Sequence, residues 1–179
     1  MKQQYRDKAL KDLMKRMRSK QFDDQQNAFF QTALVFELNN SEELMSDTVY
    51  TDALDRNLLR LRLSDEDQLA LIKVIVQMIA SQPILQETCL WCLSRSKPEL
   101  YIRPFLPVLI QTWNEFSIQS AQETIKLLKK AYLLDDETVL EALHKQSPEG
   151  IVLKWSISRK EDLSEPAKDL LSLIQSLNN

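Results

Sequence analysis

The sequence predicts an all-α fold of antiparallel helical hairpins stacked as an irregular α-α superhelix. Gly150 is the only glycine in the 179 residues, where an average chain of this length holds roughly a dozen. Glycine supplies the tight hairpins and left-handed turns on which many β-folds depend. Apolar residues recur at helical spacing in almost every segment, and none shows the sustained alternation of a half-buried strand. The length favours a single domain over residues 1–179.

The first third of the chain is predicted to begin with a basic amphipathic helix over residues 5–20. Its apolar residues fall on one side at 100° per residue. The opposite side carries four cations: Lys8, Lys11, Lys15 and Arg18. Residues 24–38 are dense in aromatic and aliphatic side chains and predict a second helix. Residues 42–62 predict one or two more.

Seven further helices are predicted in the rest of the chain. They cover residues 65–81, 84–96, 101–116, 118–132, 135–145, 148–158 and 165–177. Ser64, followed by Asp67, is suited to cap the first of them. Three later helices have polar residues at their expected starts: Asp135, Ser147 and Ser164. Pro83 and Pro148 stand near first-turn positions, where a missing N–H costs no hydrogen bond. Residues 164–179 are expected to form a C-terminal capping helix.

A spacing of 34 residues relates the predicted helices of residues 65–158. Large apolar residues recur at this spacing in four columns: Leu71, Phe105 and Val139; Ile72, Leu106 and Leu140; Ile75, Leu109 and Leu143; Ile84, Ile118 and Val152. A single helix pair of this size encloses too little core, so each pair is expected to stack on its neighbour.

Residues 102–110 (Ile-Arg-Pro-Phe-Leu-Pro-Val-Leu-Ile), followed by the helix at 121–131, resemble a HEAT-type helical hairpin. First helices of that family often carry a proline in the form L-P-x-L. The resemblance covers residues 65–158. It implies an α-solenoid that acts as a binding scaffold, with no catalytic residues to transfer to this chain.

The sequence contains few of the residues and motifs that catalysis or cofactor binding requires. One glycine leaves no dinucleotide fingerprint, P-loop or G-x-S-x-G elbow. The single histidine, His144, follows Glu141 in one Glu-x-x-His, whereas a di-iron bundle needs two such motifs. Cys89 and Cys92 form a C-x-x-C in mid-helix without the strand that precedes a redox motif, so two buried structural thiols are expected. We therefore expect no enzyme, no cofactor and no metal ligands.

Two acidic clusters and three tryptophans have structural explanations. Asp23-Asp24 and the cluster at residues 135–137 lie at predicted helix starts, where carboxylates cap the helix and favour its dipole. The tryptophans fall in predicted helices and are expected in the core more often than at an interface. They are Trp91, Trp113 and Trp155.

Charge is distributed unevenly. Residues 1–20 hold eight basic and two acidic residues, and residues 21–67 hold three basic and eleven acidic ones. The remaining residues are almost neutral. The basic segment is expected either to pack on its acidic neighbour or to extend as a mobile arm toward a foreign anionic surface. A second basic face is predicted at Lys126, Lys129 and Lys130.

These observations favour a cytoplasmic, non-enzymatic scaffold or adaptor that binds another protein. The alternative is a nucleic-acid-associated factor that uses residues 2–20 and the second basic face. A metal-dependent all-α enzyme is a third hypothesis. No membrane partner is expected, because polar residues interrupt the longest apolar run, 69–84. The apolar C-terminal helix is expected to close the core or to pair with a second copy in a homodimer.

Overall fold

A computed structural model of the chain describes residues 2–40, 52–59 and 61–177. These residues contain nine α-helices and no strand, so the predicted all-α fold is confirmed. The helices are α1 (Lys2–Met17), α2 (Phe22–Asn40), α3 (Asp65–Ser81), α4 (Gln86–Leu93), α5 (Pro98–Thr112), α6 (Ile118–Tyr132), α7 (Glu137–Gln146), α8 (Glu149–Ser156) and α9 (Glu161–Leu177). Two 3-10 turns, Pro83–Leu85 and Trp113–Glu115, precede α4 and follow α5.

The helices pack in two rows. In the first row α3 lies against α1 and α5, and α5 lies against α7. In the second row α4 lies against α2 and α6, and α6 lies against α9. The hairpins α1–α2, α3–α4 and α5–α6 join the rows, and α8 packs on α9. Superhelical stacking of these hairpins stays a prediction.

Three of the four repeat columns occupy the core of the first row. Their members lie in α3, α5 and α7, and all are buried except Leu140, which is partly buried. The fourth column does not share one environment. Val152 is buried and Ile118 is partly buried, but Ile84 is 73% exposed. Ile84 falls in the 3-10 turn that Pro83 begins rather than in α4, and this places its side chain outside the core.

Several helix boundaries differ from the prediction. α5 begins at Pro98 rather than at residue 101, because proline needs no hydrogen-bond acceptor for an N–H in the first turn. α4 ends at Leu93, before the expected residue 96. α9 begins at Glu161 rather than at 165, and the main-chain oxygen of Lys160 already accepts the N–H of Ser164 at 2.9 Å. Ser164 is therefore a residue of the first turn and not its cap.

One of the four predicted caps is correct, and the other three, Ser164 among them, are displaced. Ser64 and Asp67 form a reciprocal capping box at α3, with each side chain accepting the other residue's N–H. α7 is capped by Asp136, whose carboxylate accepts the Val139 N–H at 3.0 Å, and not by Asp135. Ser147 ends α7 in the left-handed conformation, with a φ of 48°, instead of capping α8.

The helices predicted over residues 42–62 fall partly outside the described residues, at 42–51 and 60. Within the described part, residues 52–53 are helical and residues 56–59 form turns, so no helix continues through them. Leu54, Leu58 and Leu61 nevertheless enter the core.

Side-chain amides of α2 hold this turn segment. The Gln31 amide donates to the main-chain oxygen of Ala53 at 3.0 Å and accepts the Asp55 N–H at 2.7 Å. Asn39 likewise accepts the Leu63 N–H at 2.8 Å. These bonds satisfy main-chain groups that a continuous helix would have paired internally.

The C-terminal helix closes the chain's own core. α9 packs against α8 and α6, and its apolar stripe includes the buried side chains of Leu170 and Ile174. Leu177 at its end is exposed. In the described part of the chain, no helix has the length and apolar character needed to cross a membrane.

Candidate functional site

The basic helix α1 packs through its apolar side and turns its cations outward. Ala9, Leu13 and Met17 are buried, and α1 lies against α2. The four predicted contact residues are all exposed: Lys8, Lys11, Lys15 and Arg18. We call them the basic stripe. Among the described residues, none of the four has an ion-pair partner.

The other arginines of α1 bind the acidic segment that follows. Arg16 contacts Asp55 at 2.9 Å and Asp24 at 3.3 Å. Partial burial would lower the pKa of Arg16, but hydrogen bonds to Asp55 and then Asp24 raise it above its ordinary value. Arg6 lies 3.5 Å from Asp67. The helix therefore docks on its acidic neighbour through two arginines, while the basic stripe faces solvent.

The three lysines of the second predicted basic face differ in their bonding partners. Lys126 pairs with Glu123 at 2.6 Å one turn earlier. Lys130 donates to the main-chain oxygens of Ser94 and Ser96, which satisfies carbonyl groups just beyond the end of α4. Burial lowers the pKa of Lys130. Lys129 is exposed. Of the three lysines, only Lys129 has no bonded partner within the described part of the chain.

An aromatic groove crosses the second row of helices. Phe30 of α2 and Trp91 of α4 stack with ring centroids 6.1 Å apart and planes within 6° of parallel. Glu87 and Thr88 of α4 and Glu123 of α6 complete its lining. The groove is open to solvent and has a volume of about 280 Å³. We refer to these five residues as the aromatic groove.

Both aromatic rings of the groove contact solvent. Phe30 is 40% exposed, and Trp91 is partly buried. Arg95 lies over Trp91 at 5.1 Å from the ring centroid and pairs with Glu37 at 2.7 Å. The groove therefore combines exposed aromatic surface with carboxylates at its edge.

Sequence reasoning missed Phe30. Adjacent residues on a helix point about 100° apart, so Phe30 faces a different side of α2 from Phe29. Phe29 and Phe36 are fully buried, which leaves Phe30 on the outer side of α2. The sequence does not distinguish Phe30 from its buried neighbours, because adjacent residues of α2 such as Leu34 and Val35 are both buried.

The other two tryptophans contact each other in the C-terminal half of the chain. Trp113 and Trp155 contact edge to face at 6.4 Å, and the Lys154 ammonium lies 4.5 Å from the Trp113 ring centroid. Trp155 is buried and Trp113 partly so. The expectation of core tryptophans is therefore met fully only by Trp155.

The thiols of the C-x-x-C are buried and unpaired, so the prediction of buried structural cysteines is confirmed. Burial raises the pKa of Cys89 and of Cys92 well above the ordinary thiol value. A raised pKa leaves little thiolate, the reactive form, at neutral pH. These residues stabilise the core through packing.

The motifs weighed for metal binding do not assemble into a cluster. Glu141 lines a surface cleft between α5 and α7 together with Arg103, Thr138 and Lys145. Residues 2–40, 52–59 and 61–177 bring no three His, Cys, Asp or Glu side chains close enough to hold a metal ion. Asp23 and Asp24 lie in the first turn of α2, where carboxylates favour the helix dipole.

No protein-family model, curated protein or solved structure matches this chain. The similarity of residues 65–158 to HEAT-type hairpins stays a prediction based on the residues themselves.

Proposed function

We propose that the chain is a non-enzymatic helical scaffold or adaptor that binds another protein at the aromatic groove. The observation that supports this proposal is the stacked pair of Phe30 and Trp91 at the surface of the second row. Large aromatic side chains contribute most of the binding energy at many protein interfaces, since they bury much apolar area with little loss of rotamer freedom. The groove is formed by three helices, and its concave shape lets a partner side chain contact both aromatic rings.

The helical arrangement supports a repeat scaffold. Leu71, Phe105 and Val139 are buried at equivalent positions of α3, α5 and α7. We propose a HEAT-like repeat on this basis, with the groove on the row formed by α2, α4 and α6. A cytoplasmic location belongs to the same proposal, as does a homodimer through the end of the C-terminal helix, where Leu177 is exposed. Sedimentation of the purified chain tests the dimer.

A matched pair of phenylalanines tests the binding site. Phe22 and Phe30 both lie on α2 and are 39% and 40% exposed, but only Phe30 lines the groove. The full chain and its Phe22→Ala and Phe30→Ala variants would be used for affinity capture from the native host's lysate. Equal thermal melting curves would establish that both variants are folded.

We expect a protein partner that the wild type and Phe22→Ala retain and Phe30→Ala loses. Truncating an aromatic anchor costs about 2 kcal/mol or more, which is roughly a thirtyfold loss of affinity. Equal retention by all three proteins would contradict the proposed site.

Nucleic-acid association is a second candidate, favoured by the exposed basic stripe, whose four cations have no ion-pair partner within the described residues. Phosphate contacts release counterions, so the logarithm of the binding constant falls with the logarithm of salt concentration by about 0.7 for each contact to a single strand. Four contacts would give a slope of roughly −2.8.

Fluorescence anisotropy with labelled single-stranded DNA and RNA tests this candidate. Replacing all four stripe cations by glutamine should remove binding. A control replaces four exposed cations elsewhere: Lys73, Lys145, Arg159 and Lys160. Absence of binding at low salt, or equal effects of the two sets, would exclude a specific role for the stripe.

A further inference from the structure

We propose that the aromatic groove binds a basic segment of the partner protein and takes one of its arginine side chains against Phe30 and Trp91. This inference rests on the proposed function and names the chemistry of the partner at the same site. It is carried by the rings, by the charges at the edge of the groove and by the shape of the guanidinium group.

The rings provide a surface that attracts cations. Phe30 and Trp91 lie almost parallel and both contact solvent beside a space of about 280 Å³. The face of an aromatic ring carries negative electrostatic potential, and tryptophan attracts cations most strongly. A guanidinium is planar and weakly hydrated, so it stacks on such rings more readily than an ammonium does.

The chain itself already places a guanidinium on Trp91. Arg95 lies within 5.1 Å of the ring centroid. Its Nη1 is bound to Glu37 at 2.7 Å, and Arg95 does not line the groove. This internal contact shows that a guanidinium packs on the Trp91 ring, and no Lys or Arg is among the residues that line the groove.

The edge of the groove carries the charge that an arginine requires. Glu123 is paired with Lys126, but Glu87 is exposed and has no ion-pair partner among the described residues. The two carboxylates and one ammonium leave a net negative charge. An arginine that lies on Trp91 can place its N–H groups toward the Glu87 carboxylate, a pairing that is often bidentate.

Charge complementarity therefore selects among occupants. An acidic segment would meet Glu87 and Glu123 with like charge. A purely apolar segment would remove Glu87 from water without giving it a partner, which is unfavourable. A basic segment satisfies the free carboxylate and both rings together.

Small arginine probes test the inference directly. The isotope-labelled full chain would be titrated, at physiological salt, with acetyl-arginine amide and with acetyl-citrulline amide, its uncharged isostere. Acetyl-leucine amide serves as the apolar probe. We expect saturable shifts of the main-chain amide signals around Glu87 and Trp91 with the arginine probe only.

Matched variants assign the contact to the groove. Trp91→Leu and Glu87→Gln should each weaken arginine binding about two- to fivefold, the range of one exposed cation–π contact or one exposed ion pair. Trp113→Leu and Glu115→Gln are the controls, since Trp113 is also partly buried and Glu115 is also exposed. Both controls should keep the wild-type affinity, and thermal melting establishes folding of all four.

The inference would be overturned if the citrulline or leucine probe bound as tightly as the arginine probe. It would also be overturned if neither groove variant changed the affinity for the arginine probe. Loss of the captured protein in Phe30→Ala without any arginine binding would overturn this inference alone and leave the scaffold function standing. Arginine binding at the groove together with capture that Phe30→Ala leaves unchanged would instead overturn the proposed function.

Discussion

Replacing Ile75 and Ile84 separately by alanine removes the same atoms from two positions that the 34-residue spacing treats alike. Ile75 lies in α3 and is fully buried in the core. Ile84 lies in the 3-10 turn before α4 and is 73% exposed. The structure therefore predicts very different costs for one chemical change.

The expected magnitudes follow from burial. A buried isoleucine replaced by alanine loses its transfer free energy and leaves a cavity, and together these cost about 2–5 kcal/mol. A substitution at a largely exposed position changes the free energy of unfolding by about 0.5 kcal/mol or less. Ile75→Ala should therefore lose several times more stability than Ile84→Ala.

Urea unfolding followed by far-ultraviolet circular dichroism measures both differences. The slopes against urea should agree with that of the wild type, so that the midpoints report stability alone. A loss above about 2 kcal/mol for Ile84→Ala would refute the placement of Ile84 at the surface. A loss below about 1 kcal/mol for Ile75→Ala would refute a close-packed first row.

Three further predictions concern a phenol, a cap and the thiols. Burial raises the pKa of Tyr101 above its ordinary value near 10, so the folded chain keeps this proton when the unfolded chain has lost it. The free energy of unfolding should therefore fall above pH 10. Tyr101→Phe should reduce that fall by about 1.4 kcal/mol per pH unit, measured by urea unfolding at each pH. An equal pH dependence of the wild type and the variant would contradict the burial of Tyr101. Ser64→Ala removes the side chain that accepts the Asp67 N–H and should cost about 0.5–2 kcal/mol in urea unfolding, whereas an unchanged midpoint would show that the box is not formed. Cys89 and Cys92 should react with a thiol reagent only after unfolding, and rapid labelling of the native chain would show that they are accessible.

The all-α fold was predictable because composition and helical periodicity act over long stretches. One glycine and repeated apolar spacing agree in nearly every segment. Three of the four repeat columns were placed in the core for the same reason. Pro83 changes the local helix type, and a spacing count contains no information about that change at Ile84.

Helix starts were less predictable than helix existence. Lys160 contributes a main-chain acceptor without a capping side chain, so the choice of Ser164 as the cap places α9 too late. The start of α5 at Pro98 has no side-chain cap to mark it either. Where a side chain carries the cap, as at Ser64, the prediction is correct.

The candidate site depends on contacts between distant parts of the chain. Trp91 was identified as a possible interface residue, but Phe30 meets it only because α2 packs on α4. The pairing of Arg16 with Asp55 likewise joins residues far apart in sequence. The net charge of each segment indicated that the basic helix could pack on its acidic neighbour. It did not indicate which cations would form ion pairs there and which would face solvent.

Site-specific photo-crosslinking tests the proposed binding site most directly. The photoreactive residue p-benzoylphenylalanine would replace Phe30 in one chain and Phe22 in another, and each would be illuminated with the captured partner bound. The proposal predicts a crosslink to that partner from position 30 and none from position 22. Crosslinking from position 22 alone, or no crosslink from position 30 while the partner remains bound, would contradict binding at the aromatic groove.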